Sequence, residues 1–236
     1  RRIYVGDSFQ QIYTFRFATN ALNKIDLPSY DLTQSFRFGD NYAKVLQNNL
    51  NSLYEINSSK PLEISGLEKT TLIGKNHIDF NKQFCVIARS TFGLIQQLVY
   101  FIHDKKKVYF EGGYNSYSFM NQTVYSIFYL KQKKNDKITI DEIKDFDTIN
   151  ELEQFAKDTK NQDYLNIIKF INTYGDNIFE INKKIKEFLV TDKKDADIIF
   201  TTTHKSKGLE YEQVIMADDF ISKKEIVNTK NKLSFQ

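Results

Sequence analysis

Residues 197–220 alternate in character: an apolar run (Ile198, Ile199, Phe200), a polar stretch from Thr201 to Glu210, then a second apolar run (Val214 to Ala217) closed by Asp218 and Asp219. Short apolar runs bounded by turn residues predict buried strands. The segment is therefore expected as strand, polar turn, short helix and strand, with the two strands neighbours joined by an exposed turn. Residues 84–88 repeat the strand pattern. Arg89-Ser90-Thr91 forms its polar exit, and residues 92–103 place Leu94, Ile95, Leu98, Phe101 and Ile102 at helical spacing. Val108-Tyr109-Phe110 and Ile3-Tyr4-Val5 predict two more strands. Upstream, residues 31–37 read as a short strand and turn, followed by a helix over about 39–53 with Tyr42, Val45, Leu46 and Leu50 on one stripe. Residues 51–81 are polar and carry Pro61, Gly66 and Gly74. They are expected as a loop with short strands near 62–64 and 71–73. Residues 123–188 read as largely helical, broken at Asn135-Asp136, Asp147, Asn161 and Gly175-Asp176.

Strands alternating with helices predict an α/β fold with a parallel sheet flanked by helices. In such sheets ligands sit beyond the carboxyl ends of the strands, and the turn after residue 200 lies at one of them. Its hydroxyls, imidazole and lysines suit a polyanion. The 236 residues, 41% hydrophobic and 27% charged, can bury a substantial core. No apolar run approaches the roughly 20 residues that span a bilayer, so no membrane partner is expected. The net charge of +3 means that a basic patch would have to come from placement. A single cysteine allows no disulfide framework, and Cys85 reads as a small buried hydrophobe. The three histidines lie far apart, so no metal site is expected.

Several residues carry candidate chemistry. In a helical turn after Gly6-Asp7, Gln10, Tyr13 and Arg16 share a face and combine an amide, a stacking ring and a planar cation. The alternative reading of Tyr13 and Phe15 is as core aromatics, which the adjoining GDSFQ disfavours. Arg37 has the fork geometry for phosphate or a surface ion pair. Arg89, at a strand exit, is a phosphate-contact candidate. Gly112-Gly113 allows close backbone approach beside the rings of Tyr114 and Tyr117, while Lys105 to Lys107 reads as a solvated loop. Thr202 and His204 can meet phosphate oxygens, and Glu210 can accept from a sugar hydroxyl. His204 also reads as a buried structural histidine. Residues 138–142 mimic a strand ending in a magnesium-binding Asp-Glu pair, but Asp141 fits better as a helix N-cap.

Three blocks, GDSFQQIYTFRFA at 6–18, LTQSFRFG at 32–39 and the stretch 197–220, resemble in order and wording motifs III, IV and V of the UvrD/Rep/PcrA branch of superfamily 1 DNA helicases, the F-box DNA helicase subgroup above all. The resemblance implies a RecA-like (P-loop NTPase type) parallel sheet with a small helical insertion. It divides the chain into the end of a first motor domain (1–28), a second motor domain (29–130 and 196–236) and a reduced helical accessory insertion (131–195). It further implies that Gln10 and Arg37 hold the γ-phosphate in a catalytic role, and that Phe36 stacks on adenine where the family usually has Tyr. Gly208 and Glu210 complete the nucleotide site. Tyr13, Phe15, Arg16, Arg89, Gly112, Gly113, Tyr117, Thr202 and His204 grip single-stranded DNA.

The sequence carries no G-x-x-x-x-G-K-[S/T] phosphate loop, no Asp-Glu block before Gly6 and no arginine after motif V. The expectation is a piece of an ATP-dependent 3′-to-5′ helicase. ATP and Mg2+ then belong to the full-length protein with its N-terminal motor domain, and this piece alone is expected to bind no cofactor and to be inactive. The compartment implied is bacterial cytoplasm or a eukaryotic nucleus. The alternatives are a non-catalytic interaction module that keeps the fold, and an RNA-directed motor of the same superfamily.

Overall fold

The computed structural model describes residues 2–6, 24–57 and 63–220, which divide into two compact units, Arg1–Ile78 and Asp79–Gln236. The division falls about fifty residues beyond the boundary expected near residue 28. The elements that follow Pro28 close on one another before residue 78.

In the first unit, β1 (Gln34–Gly39) leads into α1 (Asp40–Asn57) and back to β2 (Ser65–Leu67), which pairs parallel with β1. This is a small βαβ unit. The helix buries Ala43 and half-buries Leu46 and Leu50, whereas Val45, expected on that stripe, is 42% exposed. The helix also continues to Asn57, into residues expected as loop. No strand forms at 71–73, where a side chain takes up both backbone groups of Thr71. Asn41 donates through Nδ2 to the Thr71 carbonyl and accepts from the Thr71 amide, and the Thr71 hydroxyl accepts from the Gly39 amide. A ladder there would have to displace bonds that already satisfy the chain.

The second unit runs β3 (Phe84–Ala88), α2 (Thr91–Phe101), β4 (Val108–Phe110), α3 (Gln122–Lys131), α4 (Asp141–Lys144), α5 (Ile149–Asp158), α6 (Gln162–Tyr174), α7 (Asn177–Phe188), β5 (Ile198–Thr202), α8 (Thr203–Ser206) and β6 (Val214–Met216). Its sheet is parallel throughout, in the order β4-β5-β3-β6. The expectation that β5 and β6 are neighbours is corrected here. Both pair with β3, which lies between them, so the polar segment after β5 carries the chain across the carboxyl end of β3. Parallel strands need such crossovers, and the interval of eleven residues, 203–213, suffices to pass one strand.

Because the strands are parallel, all four end on the same edge. Alternation sends Phe84, Val86, Ile198, Phe200 and Phe110 to one face of the sheet. There Phe84 meets Phe101 of α2 at 5.4 Å between centroids, and Phe110 stacks on Phe200 and meets Phe119. Leu94 and Leu98 of α2 and Ile127 of α3 are completely buried with them. The opposite face carries Cys85, also fully buried. Burial pushes its thiol up to about 12, so at pH 8 the sulfur is both protonated and covered. Native chain should react with a thiol reagent such as DTNB only as fast as the unit opens, with full labelling in denaturant. Immediate stoichiometric release of thionitrobenzoate from native chain would contradict this burial.

Residues 123–188 are largely helical, as expected. Asp141, however, is the first residue of α4 rather than its cap. Ile140 holds the capping position without a side-chain bond, and the Asp141 carboxylate takes a 2.7 Å hydrogen bond from Lys144 that holds its pKa low. Among the described residues, no group of three His, Cys, Asp or Glu side chains could hold a metal ion, and no helix is long and apolar enough to cross a membrane.

Candidate nucleic-acid interface

Beyond the carboxyl edge of the second unit's sheet lies a cleft of about 630 Å³. Arg89 and Ser90 enter it from the end of β3, Thr202 and His204 from the end of β5, and Ser116, Tyr117 and Ser118 from the turn after β4. A further wall comes from α6 and the residue before it: Asn161, Asp163, Tyr164, Asn166 and Ile167. Four side chains nominated in the sequence for one ligand, Arg89, Tyr117, Thr202 and His204, thus converge on one cavity although 115 positions separate Arg89 from His204.

Three helices begin on this cleft. Ser90 Oγ accepts from the Gly93 amide, Asn121 Oδ1 from the Val124 amide and Asn161 Oδ1 from the Tyr164 amide, capping α2, α3 and α6 respectively. All three caps line the cavity. Each helix directs the positive end of its dipole there. Two carboxylates temper that potential, Asp219 at the start of α2 and Asp163 in the first turn of α6.

Arg89 is placed by an arrangement that the sequence reading missed. The Asp219 carboxylate accepts from the amides of Arg89 (2.8 Å) and Ser90 (2.7 Å) and from the Ser90 hydroxyl (2.8 Å). The backbone donors at this strand exit are therefore filled by the chain's own anion. Any phosphate contact here must come from the Arg89 side chain. That guanidinium is exposed and has no hydrogen bond or ion pair among the described residues. An aspartate two residues after a predicted strand carries no signal strong enough to have revealed the brace.

Tyr117 takes a different part from the one expected. Its ring is 3% exposed, packed parallel to Phe119 at 5.6 Å and covered by the Lys205 ammonium at 4.4 Å. Its hydroxyl donates to the Glu111 carbonyl at 2.8 Å, and burial pushes the phenol up to about 12. The faces that would stack on a base are taken, so Tyr117 is a buried support for the cleft wall. Gly112 and Gly113, at φ 77° and 85°, turn the chain toward it. A Cβ at Gly112 would meet Lys205 Nζ at 3.4 Å, an ordinary contact, so it is the positive φ that calls for glycine here. Lys205 also donates to Ser116, and its partial burial lowers its pKa.

Thr202 is 8% exposed and opens α8, whose Thr203 hydroxyl donates to the Ala88 carbonyl at 3.3 Å. His204 is exposed, so the reading of a buried structural histidine is set aside. Gly208 (φ 81°) and Glu210 lie in the exposed turn that follows. In the first unit, Phe36 is 73% exposed and Arg37 is exposed beside it on β1, where successive side chains point to opposite faces. Gln10, Tyr13, Phe15 and Arg16 lie outside the described residues.

Fold and site define an α/β protein with a parallel sheet flanked by helices and a polar cleft at the strands' carboxyl ends. F-box DNA helicase 1 of the chicken, Gallus gallus, is 29% identical to this chain over 238 residues, covering 93% of the chain and 22% of the relative. The chain thus spans about a fifth of the length of this curated relative, and the match supports a helicase relationship. No protein-family model matches. No solved structure matches.

Proposed function

We propose that this chain is the part of an ATP-dependent 3′-to-5′ DNA helicase that contributes the second RecA-like motor domain, and that the cleft grips single-stranded DNA. One observation carries the reading: Arg89, Thr202 and His204 reach one cavity from two strand ends, where three helix N-termini also point. A chain of phosphates suits the side of the cavity lined by hydroxyls and the Arg89 guanidinium, on a different wall from the Asp163 carboxylate. The similarity to F-box DNA helicase 1 supports the same reading.

For the nucleotide, the exposed ring of Phe36 offers an adenine face and Arg37 a cation for the γ-phosphate, with Gln10, Gly208 and Glu210 as the remaining candidates. The described residues hold no ligand set for Mg2+ and the sequence has no phosphate loop. These nucleotide roles rest on the sequence resemblance, and hydrolysis would require a phosphate loop and a magnesium ligand set beyond these residues.

The test is fluorescence anisotropy of a labelled single-stranded oligonucleotide across a salt series. Arg89→Ala should weaken binding about tenfold at low salt and make the slope of log K against log salt shallower by about 0.7, the value for one phosphate contact on a single strand. Unchanged affinity and slope would remove Arg89 from the interface. No binding at 20 mM salt by the unaltered chain would remove the DNA reading itself.

A further inference from the structure

Among the described residues, three phenyl or phenol rings line the cleft, and two of them are committed elsewhere. Tyr117 is 3% exposed, and Tyr164 is 9% exposed with its hydroxyl donating to the Glu142 carboxylate at 3.0 Å. Phe92 differs. It is half-buried in the first turn of α2, so part of its ring faces the cavity that it lines. Phe170 of α6 approaches that ring at 5.7 Å with the planes tilted by 49°, and no second ring lies against it among the described residues.

The position of the ring matters more than its exposure, since a single exposed apolar side chain needs no explanation. Phe92 follows Arg89 by three residues, on the wall that offers a guanidinium and hydroxyls. It also meets α6, where Asp163, Ile167 and Phe170 recur at helical spacing on one face. The ring thus stands where the wall suited to phosphates joins the wall that carries the Asp163 carboxylate. A strand laid with its phosphates toward Arg89 turns its bases away from them, toward α6. Asp163 repels a phosphate there but not a neutral base. Stacking on a ring also accommodates any base, because every base has a π-face.

We propose, resting on the single-strand reading above, that Phe92 is the base-stacking platform of this cleft and serves all bases alike. The competing role is packing alone. A ring that only holds α2 against α6 through Phe170 would support stability and leave the bases uncontacted.

The experiment measures the anisotropy of labelled oligo(dT) and of an abasic strand of the same length and charge, with the full chain, Phe92→Leu and Phe92→Tyr, alongside a thermal melt of each protein. Leucine keeps an apolar contact for Phe170 and removes the π-face, whereas tyrosine keeps the face. The unaltered chain should bind oligo(dT) about tenfold more tightly than the abasic strand. Phe92→Leu should bring that ratio near one by weakening oligo(dT) alone, and Phe92→Tyr should preserve it. A ratio near one in the unaltered chain overturns the inference whether or not any variant folds, and leaves strand binding through phosphates intact. A ratio that survives in Phe92→Leu, or a loss shared equally by both strands, overturns it too. Failure of the unaltered chain to bind either strand would sink the single-strand reading and the inference with it.

Discussion

Gly93→Ala is expected to destabilise the Asp79–Gln236 unit by about 2 kcal/mol, although the same change in most helices is stabilising. Gly93 sits in the first turn of α2, and a Cβ built on it would lie 2.1 Å from Asp219 Oδ2 and 2.4 Å from Asp219 Cγ. No methyl group tolerates that distance, so the carboxylate would have to leave. It would take with it three hydrogen bonds of 2.7 to 2.8 Å, to the amides of Arg89 and Ser90 and to the Ser90 hydroxyl. Hydrogen bonds to a charged group contribute about 1.5–3 kcal/mol each and are not additive. The loss of the set, about 3 kcal/mol, exceeds the gain of about 1 kcal/mol from replacing glycine by alanine in a helix. A double-mutant cycle with Asp219→Ala, read by urea unfolding, separates the terms. In the Asp219→Ala background the clash is gone, and Gly93→Ala should be neutral or stabilising. Equal destabilisation in both backgrounds would show that the brace is not what the glycine accommodates. The same variant should weaken the proposed single-strand binding, since the turn it loosens carries Arg89.

What could be read from the sequence followed from the range of the interactions involved. The strands Phe84–Ala88 and Val108–Phe110 and the helix Thr91–Phe101 are local apolar patterns with capping residues at hand, and they lie where the pattern puts them. The order β4-β5-β3-β6 is a non-local property. Nothing in residues 198–217 indicates that β3 lies between the two strands they contain. Residues 71–73 have the composition of a strand, but Asn41 bonds to the backbone that a strand would need. The candidate site divides in the same way. Arg89, Thr202 and His204 were legible as polar residues at strand ends. The α6 wall was not, because Asn161, Asp163 and Asn166 look like ordinary helix-cap and surface residues until the fold sets them in the cleft. Tyr117 shows the converse error. An aromatic beside paired glycines reads as a stacking platform, yet its hydroxyl reaches the Glu111 carbonyl and the ring is spent on packing.

Glu111→Ala is the second change expected to have a large effect, because this residue fastens three segments together. It is 9% exposed, at the end of β4. Its amide donates to the Phe200 carbonyl of β5 at 3.1 Å, and its own carbonyl accepts from Tyr117. Its carboxylate accepts from Lys193 and, at 3.0 Å, from the hydroxyl of Tyr211, whose ring lies 4.5 Å beneath the Lys193 ammonium. Burial pushes the Tyr211 phenol far above its ordinary range, so it remains a donor at any working pH. Removing the carboxylate leaves a hydroxyl and an ammonium without their acceptor. Breaking a buried pair in this way costs about 3–5 kcal/mol. Because the Lys193 side chain is 35% exposed and can rehydrate, a discounted cost of about 2–3 kcal/mol is expected. Glu111→Gln keeps an acceptor for Tyr211 and removes only the charge, so its cost should be about 1 kcal/mol. Urea unfolding should therefore rank Glu111→Ala above Glu111→Gln, and a Glu111→Ala midpoint equal to that of the parent chain would rule out the fastening role. The functional consequence follows from where Tyr211 stands, one residue after Glu210 in the turn that carries Gly208. With Tyr211 released, amide exchange at residues 209–211 should quicken more than the loss of global stability accounts for, whereas β3 amides should follow global stability alone. The cluster thus ties the turn nominated for the nucleotide to the same strand end that supports Tyr117 in the cleft wall.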